Sequence, residues 1–299
     1  MRRYVAEAVG TFGILFAGCG ATVVAGARIG DTGVALAFGL ALAAMTLVLS
    51  PVSGAHLNPA VSVAMAAVGR FRWRDVPAYV GAQLAGGVLG VGLVLLLAKG
   101  RAGGSPMGAE SLAVGYERLS PGGYGLSAAL VAEVVLTALL VLVLLSVSDA
   151  HPKGGLTAEA AQAHRSTHAV SAGALGIAYT LIHLVGLPVD KLAANPARAL
   201  GPALFAGGDA LVQLWLFLVA PVIGAFVAAG LYRVLWAAPR EKPLTLVAAG
   251  TLPYRANQRP PVAQALDEED EDSGPSTLRS PRPARVDAVS IPNSIPTRH

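Results

Sequence analysis

Residues 53–61 read Ser-Gly-Ala-His-Leu-Asn-Pro-Ala-Val, and the centre of that stretch, Asn58-Pro59-Ala60, returns as Asn195-Pro196-Ala197 with Arg198 behind it. Proline in the first turn of a helix loses no hydrogen bond, and asparagine before it is a good N-cap. Each triplet therefore reads as a helix start. The sequence around both triplets is membrane-like, and backbone at membrane depth must find partners or line a water-filled cavity. Ordinary N-caps of surface helices fit poorly with such charge-free flanks. One start in each half of the chain predicts two half-helices meeting in a pore.

The membrane character is plain in the composition. The chain has 299 residues, 54% hydrophobic and 13% charged, so long stretches carry no charge at all. Charge-free windows cover 8–27, 32–69, 76–98, 134–148, 166–189 and 210–232. A spanning helix needs about 20 mostly apolar residues. The windows predict six spans, near 4–27, 33–52, 77–98, 125–148, 169–188 and 211–236. Arg2 and Arg3 could open a secretory signal, but Glu7 interrupts the apolar stretch, which is also longer than a signal core. It reads as a retained first span. The one cysteine, Cys19, leaves no partner for an intrachain disulfide and no cysteine metal cluster. No metal or other cofactor is expected.

The two halves repeat. At an offset of 137, Gly39 matches Gly176, Ala41 matches Ala178, Pro51-Val52 matches Pro188-Val189, and the two Asn-Pro-Ala triplets coincide. Glu7 matches Glu133 at an offset of 126, and the difference falls in the connection around 149–168. Three spans per half insert the second copy upside down, which is an inverted repeat with discontinuous helices near the midplane. The channel domain is read as 1–239, with repeats at about 1–100 and 124–239. The remainder, 240–299, holds the acidic run Asp267–Asp272 and arginines among prolines, and reads as a disordered cytoplasmic tail.

The net charge of +4 lies within residues 1–239, because the tail balances. In a membrane protein such arginines set topology rather than bind nucleic acid. With six spans, Arg2, Arg3, Arg70, Arg72, Arg74, Lys153, Arg165, Arg233, Arg240 and Lys242 share one side, and Arg28, Lys99, Arg101, Arg118 and Lys191 the other. The positive-inside rule puts both termini in the cytoplasm. His151, His164 and His168 cluster in the central connection, where a solvated loop is the expectation and a pH sensor or metal site the rival.

These residues resemble the aquaporins of the major intrinsic protein family over about 4–236. The stretch 53–61 is similar to that family's first pore loop, and Asn195–Arg198 to its second. The resemblance implies an all-α polytopic membrane protein with an aquaporin-like inverted repeat of six transmembrane helices plus two half-helices. It implies a homotetramer in the bilayer, in the cell (inner) membrane, with water as the permeant of each protomer. It assigns Asn58, Pro59, Ala60, Asn195, Pro196 and Ala197 to the pore motifs. Phe38, His183, Leu192 and Arg198 fall at the selectivity filter. Glu7 and Glu133 would brace the pore loops.

Two positions depart from the pattern. Leu192 stands where the family usually has a small residue, and Leu218 follows Phe217 where the water-channel pattern has tryptophan. Ala199 and Ala203 look aquaporin-like, whereas glycerol facilitators usually carry aspartate directly after the arginine. The expected function is a passive, single-file water channel that excludes protons and ions. The alternative on the same fold is a facilitator of glycerol or other small neutral solutes. An ion-coupled transporter would want more than Glu7 and Glu133 near the midplane. A non-conducting scaffold would work through the tail. No nucleophile or metal set accompanies the two glutamates, so no enzyme is expected.

Overall fold

The structure is a computed structural model, and it describes residues 1–100, 108–148 and 158–236. Its helices are α1 (Arg2–Gly20), α2 (Gly26–Ser53), α3 (Pro59–Ala67), α4 (Val76–Lys99), α5 (Ala109–Leu112), α6 (Leu126–Ser148), α7 (Ala158–Asp190), α8 (Pro196–Ala206) and α9 (Gly208–Trp236). Among the described residues, five helical stretches are long and apolar enough to cross a membrane. The first, Arg2–Ser53, is 52 residues long. At 1.5 Å per residue it is more than twice the length of one crossing. It is two spans. Gly30 breaks it, with φ 60° and ψ −175°, a conformation that glycine reaches without a Cβ penalty. A wider turn at Ala21–Ala25 precedes that break. Six crossings result.

The expected span positions hold to within a few residues, with one difference. α7 begins at Ala158, so part of the expected central loop is helical. His164 lies in that helix and His168 opens its apolar part, whereas His151 falls outside the described residues. The expectation for 240–299 also lies outside them.

The packing repeats with the sequence. α1 packs on α4 as α6 packs on α9, and α1 on α2 as α6 on α7. α2 and α7, the repeat partners, pack on each other. The half-helices cross over: α3 lies on α9 of the other half, and α8 lies on α4. Close approaches at glycine allow this. A Cβ on Gly87 would meet the Ala197 carbonyl oxygen at 2.9 Å, and one on Gly201 would meet that of Gly87 at 3.2 Å. Small residues at helix contacts are how packing is achieved where the hydrophobic effect between helices is absent. The outer faces remain apolar and open. Leu40, Val48, Leu96, Ile177 and Val212 are all exposed, as lipid-facing residues should be.

Candidate functional site: the crossed half-helices and the filter layer

Asn58 and Asn195 cap α3 and α8 by accepting the backbone N–H of Ala60 and Ala197, each at 2.9 Å. The amide nitrogens cross over. Asn58 Nδ2 donates to the Ala194 carbonyl at 2.7 Å, and Asn195 Nδ2 donates to the Leu57 carbonyl at 3.0 Å. Each loop is thus tied to the other by the residue that starts its own helix. An amide nitrogen carries two hydrogens, so each asparagine keeps one for the lumen. The two helix N-termini, each carrying roughly half a positive charge, face one another there.

The loops before these helices are held in left-handed backbone. Gly54, Ala55 and Leu57 have φ of 88°, 49° and 52°. Their repeat partners Lys191, Leu192 and Ala194 have 68°, 44° and 46°. For residues other than glycine this conformation persists only where the surroundings over-determine it. Two buried glutamates do so. Glu7 accepts from the backbone N–H groups of His56 at 3.1 Å and Leu57 at 2.6 Å. Glu133 accepts from Ala193 at 2.5 Å and Ala194 at 2.8 Å. Both carboxylates are fully buried. Ser53 Oγ accepts from Ala55 N–H, and Asp190 Oδ1 from Leu192 N–H, so the turn itself is also repeated.

The sequence reading missed Gln83 in this network. Its Nε2 donates to Glu7 at 2.8 Å and to Ser62 Oγ at 3.0 Å. The signal was present: Gln83 is a polar residue inside an otherwise apolar window. His56, also unassigned from sequence, sits with Nδ1 at 3.1 Å from Ser62 Oγ, its ring packed on Phe71 and Tyr79.

Phe38, His183 and Arg198 come together as one layer. Phe38 and His183 stack with ring centroids 4.5 Å apart, and the Arg198 guanidinium lies 5.5 Å from the Phe38 centroid. Arg198 is anchored by the chain itself. Its Nη1 donates to the Leu112 carbonyl at 2.8 Å and its Nη2 to the Lys191 carbonyl at 3.3 Å. Its Nε has no protein partner. His183 Nδ1 lies 2.8 Å from the Tyr179 carbonyl, which can only accept, so Nδ1 carries a hydrogen. In the neutral ring Nε2 is then an acceptor, and it too has no protein partner. The layer therefore offers a free donor and a free acceptor.

Leu192 is fully buried, and its side chain packs against Gly186 of α7. A Cβ on Gly186 would come within 2.6 Å of Leu192 Cβ, so the absence of a side chain there accommodates the leucine. Lys191, next to it, donates from Nζ to the carbonyls of Glu110 and Ala113. Burial, reinforced by the nearby Arg198 charge, pulls its pKa down to about 8. Leu218, which stands where the water-channel pattern has tryptophan, is on the outer surface at 36% exposed, while Phe217 is buried. The reason is helical phase. The face of α9 that carries Phe217 packs inward, and Leu218 is rotated about 100° from it.

A narrow cavity of about 20 Å³ reaches the asparagine pair, lined by Ile14, Leu42, Val61, Leu140, Tyr179 and both asparagines among others. It shares Thr46, Ala55, His56, Leu144 and Leu175 with a wider vestibule that His168 and Ser171 also line. His168 therefore borders a pore mouth rather than a solvated loop. Arg3, Arg70, Arg72 and Arg233 gather at one end of the bundle. Arg3 and Arg72 meet Asp75, Arg70 donates to the Leu145 carbonyl and the Tyr232 hydroxyl, and Arg233 donates to the Ala67 carbonyl. At the other end Arg118 pairs with Glu110 and Asp209. Among the described residues, no group of three or more His, Cys, Asp or Glu side chains could hold a metal ion.

The sequence matches the family model described as "Major intrinsic protein" over residues 1–232. It is 39% identical over 252 residues to a protein named Aquaporin Z from Bradyrhizobium diazoefficiens, covering 83% of this chain and 97% of that one. A protein of the same name from Rhodopseudomonas palustris is 40% identical over 237 residues, covering 78% and 92%. Among solved structures, the aquaglyceroporin from Plasmodium falciparum superposes with a TM-score of 0.64 at 29% identity, covering 78% of this chain and 96% of the other. An inverted repeat with two capped half-helices, matched by a family model along the whole membrane part, leads to one conclusion: the chain belongs to the major intrinsic protein family.

Proposed function

We propose that the protein is a passive water channel that excludes ions and protons. The observation that carries this reading is the pair of crossed N-caps. Asn58 and Asn195 line one lumen, each with an amide hydrogen to spare beside the positive end of a helix. A water passing there gives its oxygen to both amides, so its own hydrogens point to its neighbours along the file. That orientation interrupts proton hopping. The two helix ends and the Arg198 charge oppose cations, an effect strengthened by the low dielectric around them. The Aquaporin Z proteins, at about 40% identity, support the same reading.

The filter layer favours water over glycerol. Phe38 and His183 are bulky and stacked, and Leu192 is taken up against Gly186. A glycerol pore must pass a wider solute and greet its carbon face with apolar wall. Glu7 and Glu133 serve as braces of the loops, with no role in catalysis. Each protomer of a homotetramer carries its own pore. The arginine-rich end faces the cytoplasm of the cell membrane.

The test is stopped-flow light scattering on proteoliposomes. Shrinkage in an impermeant sugar should be several-fold faster than for empty liposomes, with little glycerol entry and no proton leak beyond bare lipid. Ready glycerol entry in the wild type would replace the water-selective reading with the facilitator. A rate equal to that of bare lipid would remove both.

A further inference from the structure

Tyr179 is buried at 2% exposed, and its hydroxyl has no hydrogen-bond partner in the protein. A buried hydroxyl without a partner is costly, so it calls for an explanation. Its surroundings supply one. Tyr179 lines the same lumen segment as Asn58 and Asn195. Its ring meets His183 edge-on at 4.3 Å and Phe38 at 6.2 Å, and its carbonyl holds His183 Nδ1. It lies one helical turn, about 6 Å, from His183 along α7. It therefore stands between the filter layer and the asparagine pair.

The repeat sharpens the point. At the offset of 137 the partner of Tyr179 is Leu42, which lines the same cavity. Most of the wall there is aliphatic, from Ile14, Leu42, Leu140 and Leu175. One half of the molecule presents hydrocarbon at this level, and the other presents a phenol. The phenol is wider and adds a donor and an acceptor.

Resting on the water-channel reading, we propose that Tyr179 is a second specificity-determining station of the pore: its hydroxyl binds the permeating water and its ring restricts wider solutes below the Phe38–His183–Arg198 layer. A water leaving the filter would otherwise cross an apolar stretch before it reaches the asparagines. The hydroxyl gives that water a partner midway. The same ring narrows the lumen where the filter no longer acts.

Four variants test this in proteoliposomes, normalised to the amount of correctly assembled protein. Tyr179→Phe keeps the ring and removes only the hydroxyl. One lost hydrogen bond to the passing water predicts single-channel water permeability lower by about fivefold. His183→Gly opens the filter, and its glycerol flux should remain low while Tyr179 is present. The double variant His183→Gly/Tyr179→Leu should pass glycerol about tenfold faster than His183→Gly. Tyr179→Leu alone should stay closed to glycerol, because the filter layer is intact. Wild-type water flux in Tyr179→Phe overturns the water-binding role. Equal glycerol flux in His183→Gly and the double variant overturns the restricting role. A wild type no faster than empty liposomes instead overturns the channel reading on which the proposal stands.

Discussion

Replacing Glu133 by glutamine should loosen the second pore loop without changing the shape of the side chain. Glu133 Oε1 and Oε2 each accept one backbone N–H, from Ala193 and Ala194. A glutamine oxygen can accept one of these, but its amide nitrogen is a donor and turns a hydrogen toward the other N–H. One buried backbone donor is then unmet, at a cost of about 1–3 kcal/mol. Ala194 sits in left-handed backbone at φ 46°, so the same contact also restrains a conformation that is costly by itself. The Ala194 carbonyl accepts the crossed bond from Asn58, so the disturbance reaches the asparagine pair. Hydrogen exchange measured by mass spectrometry on the detergent-solubilised protein should show protection of the peptide covering 191–197 falling by about 5- to 150-fold, the equivalent of that energy. Water permeability should fall with it. The Glu7 loop should be disturbed less, because its own carboxylate and Gln83 remain. Unchanged protection at 191–197 together with unchanged flux would refute the argument that Glu133 holds this loop.

Three further outcomes follow from the geometry. Arg198→Ala removes a fixed charge and two bonds to the Leu112 and Lys191 carbonyls, so in a Tyr179→Leu background urea or glycerol entry should rise in vesicles; unchanged selectivity in a well-folded double variant would remove Arg198 from the filter. Mercurials should leave water flux intact, since Cys19 is fully buried among apolar neighbours; strong inhibition abolished by Cys19→Ser would contradict that placement. Lys191 has a folded pKa of about 8 against the ordinary 10.5, so between those values the unfolded chain binds the extra proton and stability rises with pH. The difference in melting temperature between wild type and Lys191→Gln should therefore shift in favour of the wild type from pH 8 to pH 10, and a pH-independent difference would contradict the burial of Lys191.

Much of this was legible in the sequence because the signals are local. Charge-free windows of spanning length mark the crossings, since lipid allows only helices there. Asn-Pro at positions 58–59 and 195–196 marks helix starts, because a cap and an N1 proline act within one turn. The offset of 137 for the two loops and of 126 for Glu7 and Glu133 brought all four into one scheme. Sequence read less well wherever the partner is backbone or distant. Arg198 is anchored by the carbonyls of Leu112 and Lys191, and any residue type can supply a carbonyl. The crossed bonds of Asn58 and Asn195 span 136 and 138 residues, and only the packing of α3 on α9 and α8 on α4 brings those ends together. One residue's helical phase separates buried Phe217 from exposed Leu218, and composition does not report phase in a helix that is apolar all round. For the same reason Tyr179 passed as one more apolar-span residue. The sequence alone determined the spans, the repeat and the capped starts, because these follow from solvent and local geometry. The tertiary structure alone decided that the Tyr179 hydroxyl, His183 Nε2 and Arg198 Nε are buried without a protein partner, because that depends on which neighbours have already used their hydrogen bonds.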